Sequence, residues 1–413
     1  MPTGATAAAA LATLLWQRLN PQAWPLPLGA LPAGSALVGG AVRDGLLGRL
    51  PQQPDLDLVV PAGAIALCCT LARQLGGSPV VLDGERDIAR LVLHGWTIDL
   101  AACEGGSLEA DLGRRDFSIN AIALPLQPQQ GLLDPTDGLA DLERRELRAI
   151  CEANLLSDPL RLLRGLRLAC ELDFKLAPLT QAWIEQHRAR LGGVASERVL
   201  AELEKLACAP AGAGGLLEAA RSGLLEPWLA GTAPLEPPLS ALGMARGEGL
   251  GLQAGELAWA LPLARLACLA DATALERLRS SRALQKQVQR LRQGWQLLAG
   301  RQPSALQEAE RFGLHRSLEA ELPALLLLLP PCEDNRALVR RWRDAGDPLL
   351  HPRPPCDGGQ LQALLGLRPG PQLGALLEHL SQERAFGRLP AAVDRDADQD
   401  AVINSARLWL SRH

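Results

Sequence analysis

Leu37 to Val60 reads LVGGAVRDGLLGRLPQQPDLDLVV. A short apolar strand, Ala36–Val38, runs into Gly39-Gly40 and then into a helix-forming segment that carries Arg43. A Pro-bounded loop leads to a second apolar strand holding Asp55 and Asp57. Strand side chains alternate between faces, so both carboxylates project from one face of a sheet. Paired carboxylates repel unless cations sit between them, and two Mg²⁺ ions meet that need when the substrate is a nucleoside triphosphate. The glycine pair lets backbone N–H groups approach phosphate oxygens, and a helix start adds its dipole. Alone, Gly-Gly is a tight turn and Asp-x-Asp a solvated edge. In this order, within one strand–helix–strand unit, they predict a nucleotidyl-transfer site.

The 413 residues are enough for several domains and a substantial core. Leu and Ala dominate, aromatics make up 3% and Tyr is absent, which predicts a mostly helical chain. Lys175, Lys205 and Lys286 are the only lysines, so Arg carries the positive charge; Arg suits bidentate phosphate contacts, and a compositional bias of the genome gives the same skew. A net charge of −4 excludes a chain that coats nucleic acid over its whole surface, so RNA contacts must be local patches. Nine cysteines without Cys-x-x-Cys spacing imply neither a zinc site nor a disulfide framework, which fits a reducing cytosol. The first residues lack a basic n-region and the longest apolar run, near Leu325–Leu329, is too short to span a bilayer. A cytoplasmic protein without membrane contact is expected.

Residues 1–20 predict a leading helix and Pro21–Pro32 a linker. From 36 to about 148 the pattern is mixed, with strands expected at Ala36–Val38, Leu56–Val60, Pro79–Leu82, Ala89–Leu93, Thr97–Ala101 and Ala121–Leu124. Beyond 150 strand signals stop and helical periodicities continue to the C-terminus.

Three further segments carry chemistry. In SLEADLGRRDFSINAIAL (107–124), Ser107 caps a helix with an acidic first turn. Arg114 and Arg115 then stand near Asp116 and Asn120. Arginines there can hold triphosphate oxygens, and an Asp and an Asn four apart can share a face and grip ribose hydroxyls; the plain alternative is a surface ion-pair cluster. DPTDGLADL (134–142) reads as a turn-rich connector. In SDPLRLLRGLRLACEL (157–172), Ser157 is expected to cap a helix whose stripe of Leu162, Leu163, Leu166, Ala169 and Cys170 is buried. Arg161, Arg164 and Arg167 recur on the opposite arc, where a solvated basic face is the plain reading. Asp158 with Arg161 nevertheless pairs an acceptor with a rigid donor fork, which suits the edge of a base.

In this order, GGAVRDGLLG with DLD, RRDFSINAIA, DPTDGLADL and SDPLRLLR resemble the class II tRNA nucleotidyltransferases and bacterial poly(A) polymerases. SERVLAELEKLA (196–207) is similar to the family's next neck motif, and DGGQLQALLGLRPGPQLGALL (357–377) to its tail; Pro210–Ala345 is poorly marked. The resemblance implies an α+β fold: a polymerase-β-type head with a mixed sheet, followed by all-α neck, body and tail. The expected limits are 1–150 for the head (1–35 being leading helix and linker), 151–215 for the neck, 216–345 for the body and 346–413 for a tail that contacts tRNA.

It further implies that Asp55 and Asp57 hold catalytic Mg²⁺ and that Gly39, Gly40, Arg43, Arg115, Asp116 and Asn120 bind the incoming nucleotide. Asp158 and Arg161 would read its base without a template, supported by Arg164 and Arg167, and Asp134–Leu142 would be a flexible head–neck joint. Two positions depart from the family pattern: Ser157 stands where Glu usually precedes the neck Asp, and Ser118 replaces a common Thr. Asp99, in the strand TIDLA, is a third carboxylate candidate.

The expected activity is template-independent addition of CCA, or of the terminal A, to the tRNA 3′ end from CTP and ATP, with release of pyrophosphate. Two alternatives stand beside it. A messenger-tailing poly(A) polymerase typically carries an Arg/Lys-rich segment soon after the metal strand and a basic C-terminal extension. Here GGSPVVLDGERDIARLVL occupies that place and the C-terminus is acidic (Asp394, Asp396, Asp398, Asp400). A non-catalytic RNA-binding relic conflicts with intact Asp55, Asp57, Arg43 and Arg115. The histidines include no His-Asp pair, so no added phosphohydrolase activity is expected. Arg277, Arg279, Arg282, Lys286, Arg290 and Arg292 form one basic run, and Arg336, Arg340, Arg341 and Arg343 another. Either can meet acceptor-stem phosphates, or simply be a solvated helix face.

Overall fold

The computed structural model describes residues 4–127, 130–233, 235, 239–389 and 395–412. It divides into two compact units, residues 1–194 and 195–413, and the division falls inside the expected neck segment.

The first unit is built on a six-stranded mixed sheet. Its strands are β1 (Ala36–Val38), β2 (Leu56–Val60), β3 (Ser78–Asp83), β4 (Ile88–Leu93), β5 (Trp96–Ala102) and β6 (Leu124–Pro125), in spatial order β3-β4-β5-β2-β1-β6. Only β2 and β5 pair in parallel, and the other neighbours are antiparallel. Apolar residues of β1, β2 and β5 are buried almost without exception, which fixes the register through the core face.

The helices are α1 (Gly4–Leu19), α2 (Gly40–Leu46), α3 (Ala64–Leu75), α4 (Leu108–Gly113), α5 (Gly138–Arg144), α6 (Glu152–Ser157), α7 (Leu160–Leu172) and α8 (Pro178–Gln186). The cap for α3 comes from far along the chain: Asp87, in the β3–β4 turn, accepts from the N–H groups of Ala64 (2.9 Å) and Ile65 (2.8 Å).

Several expectations need correction. Asp55 lies one residue ahead of β2 rather than inside it. The strand expected at 121–124 is reduced to Leu124–Pro125, which pairs with Leu37 and Ala36, while Ala123 bridges to Leu133 instead. Strand pairing does not stop at 150, since Lys175–Leu176 pairs in parallel with Glu146–Leu147, a ladder too short to leave a periodic signal. Ser107 caps α4 as expected, accepting from Ala110 N–H at 3.2 Å. Ser157 does not cap α7: it ends α6 and its hydroxyl donates to Asn154 O (2.8 Å).

Asp134–Leu142 is more than a connector. The Asp134 carboxylate accepts from the N–H groups of Gly138 (2.7 Å) and Leu139 (2.9 Å), and buried Asp141 bonds Ser118 Oγ (2.5 Å) and Arg148 (2.8 Å). At Gly138 a Cβ would stand 2.2 Å from Ser118 O, so only glycine fits.

The second unit is helical, with the buried helix Ala254–Leu269 packed against Ser196–Cys208, Arg282–Leu298 and Leu322–Leu328. Both basic runs are largely consumed inside this unit. Arg277 donates to Trp228 O and Ala230 O, and Arg292 to Ala267 O and Ala233 O. Arg290 pairs with Glu321, Arg340 with Glu333, Arg341 with Asp347, Arg343 with Glu256, and Arg336 reaches Gly249 O. Of the first run, Arg282 and Lys286 remain as exposed cations on one helix face. Asp398 is paired with Arg384 at 2.7 Å, and Asp394 lies outside the described residues.

Arg265 carries a large share of this unit's polar accounting. Only 1% exposed, it donates to Leu242 O, Ala207 O, Ala209 O and Pro210 O. Arg265→Met would strand the buried carbonyls of Ala207 and Leu242, at about 1–3 kcal/mol for each group left without water, while Ala209 O keeps the Gly212 N–H and Pro210 is exposed. A loss of at least about 2 kcal/mol is expected in urea-induced unfolding. A change below about 1 kcal/mol would show that the carbonyls find other partners.

Candidate active site

The turn from β1 into α2 is made at Gly39, whose φ of 72° suits glycine. Space makes the same demand: a Cβ there would stand 2.6 Å from Asp57 Oδ2. Val38 is the register partner of Asp57, so the backbone passes directly against the carboxylate. Asp57 in turn lies beside Asp99 in the β2–β5 ladder. A cavity of about 400 Å³ opens here, with Gly39, Gly40, Arg43, Asp55, Asp57 and Asp99 on one side. Arg115, Asp116, Asn120, Arg164 and Arg167 complete the wall, so segments more than a hundred residues apart share one space.

Electrostatics hold the wall together. Burial pushes the Asp57 carboxyl above its ordinary range; Arg115 and Arg164 pull it back, while Asp99 and Asp55 push it up again. Asp116 is buried, which opposes ionisation, yet Arg164 and Arg161, Asn120 and the Phe117 N–H hold it below the usual carboxylate range. Arg164 Nε meets Asp116 Oδ2 at 2.9 Å, Asn120 Nδ2 donates to Asp116 Oδ1 (3.2 Å), and Arg43 Nη1 donates to Asn120 Oδ1 (2.8 Å). Asp116 and Asn120 thus meet as expected, although a 3₁₀ turn at Ser118–Asn120 brings them together rather than an α-helix. Arg43 is braced by Asp44 (3.0 and 2.9 Å), and Arg115 by Asp111 (3.2 Å).

Asp55 and Asp57 can hold a hard divalent cation. Their oxygens are of the right kind, the missing Cβ at Gly39 leaves space at Asp57 Oδ2, and the crowding of like charge around Asp57 is what a cation relieves. Asp99 differs, because Arg90 grips it with a bidentate fork at 2.7 and 2.8 Å. Among the described residues, no group of three or more His, Cys, Asp or Glu side chains has metal-holding geometry.

Arg90 was not foreseen, although the sequence carries its signal. His94-Gly95, both at positive φ, form a two-residue hairpin turn, and counting outward pairs Leu93 with Trp96 and Arg90 with Asp99. Asp44 and Glu171 also line the cavity unforeseen.

Two family-type models match the chain: "Poly A polymerase head domain" over residues 85–148 and "Probable RNA and SrmB- binding site of polymerase A" over 173–235. The CC-adding tRNA nucleotidyltransferase of Synechocystis is 36% identical over 392 residues, covering 88% of this chain and 92% of that protein. This chain belongs to the tRNA nucleotidyltransferase family. An A-adding relative from Deinococcus radiodurans is 42% identical over 208 residues, 48% of this chain and 46% of that protein. A crystal structure of a tRNA nucleotidyltransferase with a primer tRNA and an incoming ATP analogue aligns with TM-score 0.60 at 26% identity, over 75% of this chain and 94% of that one. The polymerase-β-type head and helical remainder expected of the family are the observed fold.

Membership in this nucleotidyltransferase family makes the placement of the α7 arginines informative. Arg164 and Arg167 line the cavity, and Arg167 is buried against Glu171 rather than solvated on an open face. Asp158 and Arg161 are not among the lining residues. Asp158 Oδ1 accepts from Leu160 N–H (3.3 Å), and Arg161 Nη1 donates to Asn154 O (2.7 Å) and Ser157 Oγ (3.2 Å). Ser157 Oγ is thus an acceptor for Arg161 at the position where the family pattern has Glu. Among the stripe residues, Leu162, Leu163, Leu166 and Ala169 are buried and Cys170 is half-buried.

Two outcomes follow. Gly39→Ala meets both a left-handed backbone and the Asp57 oxygen, so nucleotide incorporation should fall by about 100-fold or more in kcat with the fold retained by circular dichroism; near-normal kcat would show that the turn relaxes at no cost. Arg90→Met removes the cation that balances Asp99, so Asp57 should rise further and lose its charge at a higher pH. The acid limb of the pH–rate profile is then expected to move to higher pH, and an unmoved limb would remove Arg90 from the electrostatics of the site.

Proposed function

We propose that this chain extends the 3′ end of tRNA without a template, using CTP and ATP and releasing pyrophosphate, with addition of the two C residues as its main activity. The observation that carries the reading is the single cavity that joins Gly39-Gly40, the Asp55/Asp57 pair and the Arg115–Asp116–Asn120 cluster. The choice of C rests on extent and identity together: the likeness to a CC-adding enzyme covers 88% of this chain at 36% identity, that to the A-adding enzyme covers 48%, and CCA-adding relatives that cover 85% are 29% and 30% identical.

Asp55 and Asp57 would hold Mg²⁺. When bound, it supplies Lewis-acid activation of the RNA 3′-hydroxyl and neutralises charge on the departing pyrophosphate. The chain's own groups do the rest. Backbone N–H groups at Gly39 and Gly40 lie where phosphate oxygens can approach, with no side chain in the way. Arg115 and Arg164 provide fixed positive charge where negative charge develops on the phosphoryl group. Asp116 and Asn120, immobilised by Arg164 and Arg43, are placed to accept and donate to ribose hydroxyls. Asp99 acts from beside Asp57, held by Arg90. Asp158 and Arg161 would read the base after Arg161 exchanges its bonds to Asn154 and Ser157 for bonds to the nucleotide, with Arg167 bracing α7.

In this reading residues 1–150 are the catalytic head, 151–215 the base-reading neck, 216–345 the body and 346–413 the tail that meets tRNA. With most arginines of the two basic runs engaged internally, Arg282 and Lys286 are the cations of the body best suited to RNA phosphates.

The test supplies tRNAs ending before CCA, at C and at CC, with labelled CTP or ATP. Incorporation of two C residues into the first substrate and one into the second is expected, abolished in Asp55→Ala. Tails of many A residues on unrelated RNA would sink the tRNA reading, and unchanged incorporation by Asp55→Ala would sink the site.

A further inference from the structure

The row of residues that holds the catalytic carboxylates continues across the sheet, beyond the cavity. Register partners on neighbouring strands share a face, so Asp57 on β2, Asp99 on β5, Arg90 on β4 and Val80 on β3 form one line. Val92, two residues beyond Arg90 on β4, stands on the same face. The opposite face of β4 carries Ala89, Leu91 and Leu93, all buried where α3 packs on the sheet. Val80 and Val92 differ: they are 47% and 43% exposed, and neither lines the cavity. Single exposed apolar side chains are ordinary, but a pair on the face of a reacting centre marks a place where a substrate packs.

In-line transfer says which substrate. The groups that take the incoming nucleotide lie toward β1 and α2. Gly39 and Gly40 join those two elements, and the chain of bonds Arg164–Asp116–Asn120–Arg43 ties the Arg115 segment to α2. Attacking and leaving oxygens stand on opposite sides of the phosphorus. Pyrophosphate departing on the β1 side therefore requires a 3′-hydroxyl arriving from the β5 side. The strand order β3-β4-β5-β2-β1 puts Arg90, Val92 and Val80 there. A nucleoside that carries such a hydroxyl brings a base with an apolar face and an anionic phosphodiester. Arg90 grips Asp99 through Nε and Nη2, which leaves Nη1 without a partner among the described residues, on a side chain that is 42% exposed. One guanidinium can thus serve the carboxylate and a phosphate at once.

We propose that the open face of β3 and β4 is the platform for the last nucleoside of the RNA being extended, its base packed on Val80 and Val92 and its phosphate met by Arg90. The proposal rests on the reading that this chain extends an RNA 3′ end.

Wild-type incorporation of CTP tests that reading, and the ratio of variant to wild type in the same assay tests the platform. Val80→Ser/Val92→Ser removes the apolar surface and leaves every carboxylate in place. Its kcat at saturating tRNA and CTP should fall about tenfold, as loss of the apolar contact of two valines predicts, with CTP affinity in the absence of tRNA unchanged. Val81→Ser is the control: Val81 lies on the same strand and is 56% exposed, but it pairs with Ala89 on the opposite face, so its kcat should match wild type. An equal fall in Val81→Ser would assign the effect to the strand and overturn the proposal, as would a normal kcat in the double variant. A second measurement reads position directly. A benzophenone side chain placed at position 92 of the full chain, irradiated with tRNA lacking CCA, should attach to the 3′-terminal nucleotide. Attachment to internal nucleotides alone, to a second copy of the chain, or to nothing would overturn the platform.

Discussion

Asp57 and Asp99 stand side by side on neighbouring parallel strands, with Asp55 on the same face and Asp116 across the cavity. Two carboxylates about 5 Å apart repel by about 3 kcal/mol at the effective dielectric of a half-buried site. The rest of the head is arranged to bear this repulsion. Arg90 takes Asp99, Arg164 takes Asp116, and Arg115 acts on Asp57 through space while anchored to Asp111. Each guanidinium comes from a different element, so the charge balance of the site is also a set of tertiary ties. Asp57 is left with no direct cationic partner among the described ion pairs, and its burial makes it the carboxylate that gains most from a bound cation.

This arrangement explains why glycine is needed where it is. With φ at 72° and an Asp57 oxygen within 2.6 Å of where a Cβ would be, position 39 is closed to other residues on two independent grounds. Backbone proximity and carboxylate placement are one geometric condition, imposed by the Val38–Asp57 pairing.

Much of this was legible in the sequence. The Gly-Gly, Asp-x-Asp and Arg-Arg-Asp segments announce themselves because each combines a local conformational requirement with charged chemistry. What escaped has a physical cause. Arg90 looks like an ordinary strand arginine until the hairpin register is counted. Ser157 precedes a helix-like stripe and reads as a cap, yet a short helix ends on it and its hydroxyl serves Arg161 instead. The basic runs in the second unit read either as nucleic-acid patches or as solvated helix faces, whereas backbone carbonyls take Arg277, Arg292 and Arg336 and carboxylates take Arg279, Arg290, Arg340, Arg341 and Arg343. Periodicity records which residues are charged; it does not record which carbonyls lack a partner.

The His94-Gly95 turn has a consequence for how this gene can vary. Loops on protein surfaces commonly gain and lose residues without harm, but this one acts as a ruler. Both its residues have positive φ, and its two-residue length sets Arg90 opposite Asp99. One inserted residue that shifted the pairing by a step would turn Arg90 to the opposite face of the sheet, since side chains alternate. The cavity would then lose a cation without any change in its own residues. Length at this turn therefore constrains the cavity's charge as directly as the identity of the residues that line it.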